Sequence, residues 1–593
     1  MYRTHTCGEL SEKNIKNTVT LAGWINSKRD HGNLMFIDLR DHYGLTQCVI
    51  ENTNSMFHTM EKIHTESVIT VQGEVVKRSD ETINKNIPTG MIEVKANEIK
   101  VISSCDILPI LVSSDEKFPE DLRLKYRYID LRREKLQKNI KVRSEVIKAY
   151  RDSMWNAGFN ELQTPILTVS SPEGARDFVV PSRKHPGKFY ALPQAPQQFK
   201  QLSMIAGFDK YFQIAPCFRD EDSRADRVLE FYQLDVEMSF ATQDDVMNTM
   251  EPIVLNVFEK FKNVSGVSKK IDKKIEKITF ADAMAKYGSD KPDLRNPLLI
   301  NDVTNVFKDS SFAIFTDAIK RDGFVVLAIK APNTAKQPRS FFDKLNDWAK
   351  EEGAKGLGYI VYDNDGAKGP IAKNLDTNKI DEIKSITSAD SGDSVFFVCA
   401  DPKYFVAQKF AGKVRSKLGT DLNLIDGNIY KFCWIVDFPF YEYNDDEKKI
   451  DFCHNPFSMP QGGLDSLTNK DPLDILAYQY DMVCNGFEIC SGGVRNHDIE
   501  TAYKAFEIAG YSREVVDMRF TALITAFKFG VPPHAGCAYG LERQIMLLLD
   551  EPNLREVILF PPNQKGEDLM MNAPSELDIK QLRELHIQVK KTV

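Results

Sequence analysis

Arg219 stands in Cys217-Phe218-Arg219-Asp220-Glu221-Asp222, an arginine flanked by carboxylates. Arg543 closes Gly540-Leu541-Glu542-Arg543, an arginine after a glycine turn. A guanidinium binds phosphate oxygens as a fork and stays charged at every working pH. Two such arginines far apart in sequence, each beside an acidic residue, suit a site that grips a nucleoside triphosphate and its magnesium. Either segment alone reads equally as a solvated surface salt bridge, so the rest of the chain must decide.

The chain has 593 residues, enough for several domains with their own cores. The formal charge of -8 argues against a nonspecific nucleic-acid coat, though local basic patches can sit on an acidic whole. Ten cysteines are scattered without a CxxC pair or zinc-ligand spacing, as in a reducing, cytoplasmic compartment. The start, MYRTHTCGEL, has no apolar signal core. No run of about eighteen apolar residues is present, so no membrane span is expected.

Five short alternating strands are predicted in the first hundred residues: VTLAGWI, NLMFIDLRD, LTQCVI, Val68–Val75 and Ile92–Ile102. That pattern suggests a small Greek-key barrel of the OB type. Arg29, Phe36 and Arg40 are either structural there or placed to stack on and pair with single-stranded bases. Residues 108–125 hold prolines and polar groups and read as a hinge. A charged helical stretch, Asp121 to Trp155, follows. The segment from YGSDKPDLRNP to about Asp426 has its own alternation of strand and helix, and it interrupts the stretch carrying the two arginine motifs.

At this point the chain resembles the bacterial-type aspartyl-tRNA synthetases, of the class II aminoacyl-tRNA synthetases. The resemblance covers essentially the whole chain. It runs in order through GWINSKRDHGNLMFIDLRD, RLKYRYIDLRR, SPEGARDF, QAPQQFKQL, FRDEDSRADR, QLDVE, NGFEI, PPHAG and GLER. It implies an α+β multidomain chain: an OB-fold anticodon-binding barrel (1–107), the hinge (108–125), a class II antiparallel-sheet catalytic domain in two parts (126–285 and 427–593), and an inserted α/β, GAD-like domain (286–426). The implied reaction is activation of L-aspartate by ATP and transfer to the 3′ end of tRNA(Asp). The nucleophile is already ionised, so catalysis would rest on positioning and on neutralising phosphate charge.

The resemblance also assigns residues. Arg219 contacts the α-phosphate and the aspartyl carboxylate; Asp220 and Glu221 lie at the ATP, with Glu221 towards adenine; Phe231 stacks on adenine. Gly540, Leu541, Glu542 and Arg543 bind ATP, with Arg543 at the γ-phosphate. Asp481 and Glu488 look like Mg2+ ligands, on neighbouring strand positions; their competing reading is surface carboxylates. Magnesium takes one or two carboxylates plus phosphate oxygens and water, so two suffice.

Aspartate needs a positive pocket. Arg495 and Lys200 are the candidates for its side-chain carboxylate; Asp235 orients Lys200 and the substrate ammonium. Glu173 lies in what resembles a mobile loop, Gln197 hydrogen-bonds the substrate, and His454 resembles a lid histidine. An arginine fork should reject asparagine without an editing domain. The chain departs from the common pattern at Ala195, where many relatives have Ser, at Asn455, and at Cys490-Ser491-Gly492-Gly493. These changes touch substrate affinity and leave the charged residues intact.

In the barrel, the resemblance implies that Phe36 stacks on the central anticodon base while Arg29, Gln47 and Glu93 hydrogen-bond base edges. His31, in Arg29-Asp30-His31-Gly32, stands where members restricted to tRNA(Asp) often have Leu and members that also charge tRNA(Asn) often have His. The relaxed form makes Asp-tRNA(Asn), which an amidotransferase then converts. A solvent-facing loop residue with no role is the competing reading of His31, and strict tRNA(Asp) specificity the alternative. Class II enzymes of this type are homodimers, with the segment Gly158 to Pro165 forming much of the interface. The rival functions are an asparaginyl- or lysyl-tRNA synthetase, a noncatalytic nucleic-acid-binding paralogue, and a class II asparagine-forming ligase. The acidic-substrate pocket, the intact motif residues and the barrel argue against them in turn.

Overall fold

The computed structural model describes residues 1–170, 175–445 and 447–590. The chain divides into two compact units: Met1–Lys138 with Leu559–Asn563 and Glu567–Ser575, and Asn139–Ile558 with Gln564–Gly566 and Glu576–Val593.

In the first unit, β1 (Thr18–Asp30), β2 (Leu34–Arg40), β3 (Leu45–Glu51), β4 (Val68–Lys77) and β5 (Ile92–Ser103) close a barrel in the order β1-β2-β3-β5-β4. The strand period of two turns Val19, Leu21 and Ile25, then Ile37 and Leu39, then Cys48 and Ile50 inward, all wholly buried. Each buried aliphatic side chain contributes about 1.5–3 kcal/mol. Gly23 lets β1 pass β2 closely, since a Cβ there would fall 2.3 Å from the Arg40 carbonyl oxygen. Residues 108–125, read as a hinge, contribute Ile110 and Val112 to a small core with Ile129. Arg40 and Arg132 both pair with the Glu66 carboxylate, at 2.8 and 3.1 Å, and Arg132 lies over the Trp24 ring.

The second unit is built on one eight-stranded sheet. Its strands are β6 (Asn160–Glu161), β7 (Lys210–Phe218), β8 (Glu230–Ser239), β9 (Glu276–Thr279), β10 (Phe432–Val436), β11 (Gln479–Cys484), β12 (Phe487–Val494) and β13 (His534–Gly540), in the order β9-β10-β11-β12-β13-β8-β7-β6. All internal pairings are antiparallel; the two edge pairings, β9–β10 and β6–β7, are parallel. Every residue of β10 and β11 is buried, as expected of strands covered on both faces. Helix Gln243–Phe261 starts on a Thr242–Asp245 capping box and buries Val246, Met250, Val254, Val257 and Phe261, one stripe at helical spacing, in the core under this sheet.

Between β9 and β10 the chain forms a second sheet, in the order Ile300–Asp302, Val325–Ala331, Ser394–Ala400, Gly358–Asp363, Gly366–Lys368. Alternation of strand and helix does not make it parallel: all its pairings are antiparallel. Among the described residues, which include all ten cysteines, no disulfide is formed. Among the described residues no helix is long and apolar enough to cross a membrane.

Candidate active site

Gln197 and Lys200 lie three apart on helix Gln197–Ile205 and so share a face. Asp235 and Glu237 lie two apart on β8 and so share a face of the sheet. Lys200 Nζ meets both, 2.7 Å from Asp235 Oδ1 and 3.3 Å from Glu237 Oε2. Arg495, just beyond β12, donates from Nε and Nη2 to Glu237 at 2.8 and 3.1 Å. All four side chains are at most 3 % exposed.

Burial would pull the Lys200 ammonium down, but Asp235 and Glu237 outweigh it and leave it above its ordinary value. Burial likewise opposes the Arg495 charge, and Glu237 reverses the effect. Glu237 is held below the usual carboxylate range because Arg495 and Lys200 together overcome its burial. For Asp235 burial wins over Lys200, and its carboxyl is raised. The pocket is thus two buried cations balanced by two buried acids, with the Nη1 edge of Arg495 not turned to Glu237.

Arg219 follows β7, and its guanidinium lies 5.0 Å from the centre of the Phe231 ring on β8. Its Nε is buried without a hydrogen-bond partner, as are Gln197 Nε2 and Asp235 Oδ2. Buried polar atoms are nearly always satisfied in folded proteins, so each of these three is left to meet a polar ligand or water. Glu221 is paired with Arg227 at 2.6 Å, and Asp220 is exposed.

Helix Leu541–Leu549 carries the second arginine motif behind Gly540. Arg543 donates to the Glu488 carbonyl oxygen at 2.5 Å and to the Asp226 carbonyl at 3.3 Å. Leu541 is wholly buried. Glu542 turns inward: Oε1 accepts from Arg143 at 2.6 Å and Oε2 from the Tyr232 N–H at 3.1 Å. Its carboxylate anchors the helix to β8.

Asp481 on β11 and Glu488 on β12 occupy adjacent antiparallel strands, where Asp481 pairs with Ser491 and Glu488 with Val483 across a bulge. Asp481 is 5 % exposed; burial and then the Glu488 charge raise its carboxyl well above the usual range. A buried carboxylate beside a second one calls for a cation. Among the described residues no group of three or more His, Cys, Asp or Glu side chains is arranged to hold a metal alone. Two carboxylates, with phosphate oxygens and water completing the shell, are nonetheless a donor set magnesium accepts.

His454 is exposed, with its ring edge-on to Phe438 at 4.9 Å. Asn455 Oδ1 accepts from the Phe457 N–H at 2.8 Å, a turn contact within the chain. Glu173 lies outside the described residues.

The barrel presents its own polar row. Arg29 is paired across the ladder with Phe36, and Asp38 with Gln47. Arg29 Nη2 donates to Gln47 Oε1 at 3.1 Å, and Gln47 Nε2 donates to Glu93 Oε2 at 2.9 Å. His31 sits edge-on to Phe36, ring centres 5.4 Å apart at 88°. Arg78, which the motifs did not mark, is 5 % exposed beside Glu93 and keeps Nη2 buried without a partner.

Sequence reasoning also missed Glu237, Lys291 and His534. Glu237 was legible as the acid two positions beyond Asp235 on one strand. Lys291 Nζ lies 3.3 Å from Glu488 Oε2, a contact across most of the inserted segment that no local pattern reveals. His534 at the start of β13 accepts from the Arg495 N–H through its carbonyl at 2.9 Å, and its own Nε2 is buried and unpartnered.

Comparison with known proteins covers both units. Residues 119–564 match the family described as tRNA synthetases class II (D, K and N), and residues 19–102 match the OB-fold nucleic acid binding domain. The chain is 57 % identical over 594 residues to the aspartate–tRNA(Asp/Asn) ligase of Ehrlichia canis (strain Jake), covering 100 % of this chain and 99 % of that one. It is 58 % identical over 589 residues to the protein of that name from Acidiphilium cryptum (strain JF-5), covering 99 % and 98 %. Its fold is similar to that of asparaginyl-tRNA synthetase from Pyrococcus horikoshii complexed with asparaginyl-adenylate, with TM-score 0.58, 18 % identity, and 95 % and 98 % of the two chains covered.

Proposed function

The chain belongs to the class II tRNA synthetases (D, K and N), as a bacterial-type aspartyl-tRNA synthetase, and we propose that it charges both tRNA(Asp) and tRNA(Asn) with L-aspartate. The full-length relatives are ligases named for both tRNAs. An aspartate carboxylate oxygen attacks the α-phosphorus of ATP, the bond to the bridging oxygen breaks, and pyrophosphate leaves. The 3′-terminal ribose hydroxyl of the tRNA then displaces AMP from the mixed anhydride.

The observation that carries the assignment of residues is the set of buried polar atoms left open on Gln197, Asp235 and Arg219. Asp235 Oδ2 suits the substrate ammonium, Gln197 Nε2 a substrate oxygen, and Arg219 the carboxylate and α-phosphate. Lys200 and the Nη1 edge of Arg495 receive the side-chain carboxylate, while Glu237 positions both cations. An asparagine amide would leave that charge without its counterpart, so aspartate is selected at binding. Adenine is left the half-buried Phe231 ring, with Glu221 and Asp220 beside its strand end; Arg543 takes the γ-phosphate. Asp481 and Glu488 would hold magnesium, which supplies positive charge against the phosphate oxygens. His454 belongs to a segment that closes over the substrate, and Glu173, outside the described residues, is assigned to the substrate ammonium.

On the barrel, Phe36 stacks on an anticodon base, and Arg29, Gln47 and Glu93 read base edges beside His31. The same reading divides the chain into anticodon barrel, hinge, two catalytic parts and insert. It makes the protein a cytoplasmic homodimer joined through the segment ending at Pro165, next to which Ile166, Leu167 and Val169 are exposed by 45–60 %. It also places an amidotransferase downstream. The test of the catalytic assignment is ATP–pyrophosphate exchange: aspartate drives it, and asparagine at the same concentration does not. Equal exchange with both would refute the pocket assignment.

A further inference from the structure

Lys291 lies on residues 288–299, which join helix Phe280–Tyr287 to the inserted sheet. Its Nζ is 2.7 Å from Asp290 Oδ2 and 3.3 Å from Glu488 Oε2. This segment is fixed. Arg415 donates to the carbonyl oxygens of Leu298, Asp293 and Asn296 at 2.6, 2.9 and 2.7 Å. Arg295 forks onto the Asp293 carboxylate at 3.0 and 2.8 Å.

Gly486, at φ +87°, forms the turn of the β11–β12 hairpin, and a Cβ there would come 3.2 Å from the Asp293 Cβ. The segment that delivers Lys291 is therefore packed on the tip of the hairpin that carries Asp481 and Glu488. The Lys291 side chain is 37 % exposed, so its ammonium has solvent to move into.

We propose that Lys291 is a built-in counter-cation of the Asp481–Glu488 pair, which balances the pair when no divalent ion is bound and competes with that ion for Glu488. It thereby sets how much magnesium the enzyme requires. The proposal rests on the reading of Asp481 and Glu488 as metal ligands. A cation 3.3 Å from one ligand repels an incoming divalent ion, and removing it leaves two neighbouring carboxylates with a deficit of positive charge.

The test uses Mn2+ alone with the full-length protein, reading free Mn2+ by electron paramagnetic resonance. Lys291→Met should bind Mn2+ about tenfold more tightly than the unaltered protein, since a nearby unit charge is removed. Lys291→Arg keeps the charge and should bind as the unaltered protein does. In EDTA, Lys291→Met should melt at lower temperature, and Mn2+ should restore it. Lys291→Gln serves the same comparison if the Met variant does not fold. If Lys291→Met binds Mn2+ no more tightly while Glu488→Gln loses binding, the counter-cation role is wrong and the metal site stands. If Glu488→Gln binds as the unaltered protein does, the metal reading falls and this proposal with it.

Discussion

Arg495 meets Glu237 through Nε and Nη2 at 2.8 and 3.1 Å, with both side chains buried. The arginine selected for the substrate carboxylate is thus aimed by an acid of the protein, and Lys200 lies on the same acid.

Glu237→Gln keeps the shape and removes the charge. One partner of a buried pair is then left without its complement, at a cost of about 3–5 kcal/mol. The midpoint of urea unfolding should fall, and the KM for aspartate in pyrophosphate exchange should rise more than the KM for ATP. Equal effects on both substrates would show that Glu237 does not serve the aspartate pocket specifically.

Arg219→Lys retains a cation but loses the fork and the guanidinium contact with Phe231. If Arg219 stabilises charge developing at the α-phosphate, exchange should slow by a factor of about 100–1000, the loss typical of removing one such donor. The melting temperature should fall little, because the Phe231 contact is the loss and Arg219 Nε has no hydrogen-bond partner.

Glu542 and Arg543 are neighbours with different parts. Glu542→Gln breaks the pair with Arg143, at 14 % and 3 % side-chain exposure, and should lower unfolding stability by about 1.5–3 kcal/mol. Arg543→Ala removes the donor to the Glu488 and Asp226 carbonyls, so stability should fall here as well, but only Arg543→Ala should raise the KM for ATP. Denaturant unfolding beside ATP titration separates the two.

His31→Leu removes a ring that sits edge-on to Phe36 at the exposed end of the barrel row. Charging of tRNA(Asn) should fall at least tenfold relative to tRNA(Asp), a change of about 1.4 kcal/mol. An unchanged ratio would reduce His31 to a loop residue.

Much of the architecture was legible because it rests on local periodicity. The alternation in VTLAGWI and LTQCVI gives barrel strands directly, and Gln197 with Lys200 are placed by helical spacing. What the sequence hid is set by contacts between distant segments. Glu542 sits in the motif that ends at Arg543, and nothing local shows that Arg143, 399 positions away, pairs with its carboxylate. Lys291 reaches Glu488 only because the insert returns the chain to the β11–β12 hairpin. The antiparallel order of the inserted sheet was hidden too, since strand–helix alternation fixes the elements and not their directions.

The most direct measurement is aminoacylation with radiolabelled aspartate, run in parallel on tRNA(Asp) and tRNA(Asn) transcripts. Aspartate should be attached to both with similar kcat/KM. Charging of tRNA(Asp) alone would contradict dual specificity, and charging of neither would contradict the catalytic assignment itself.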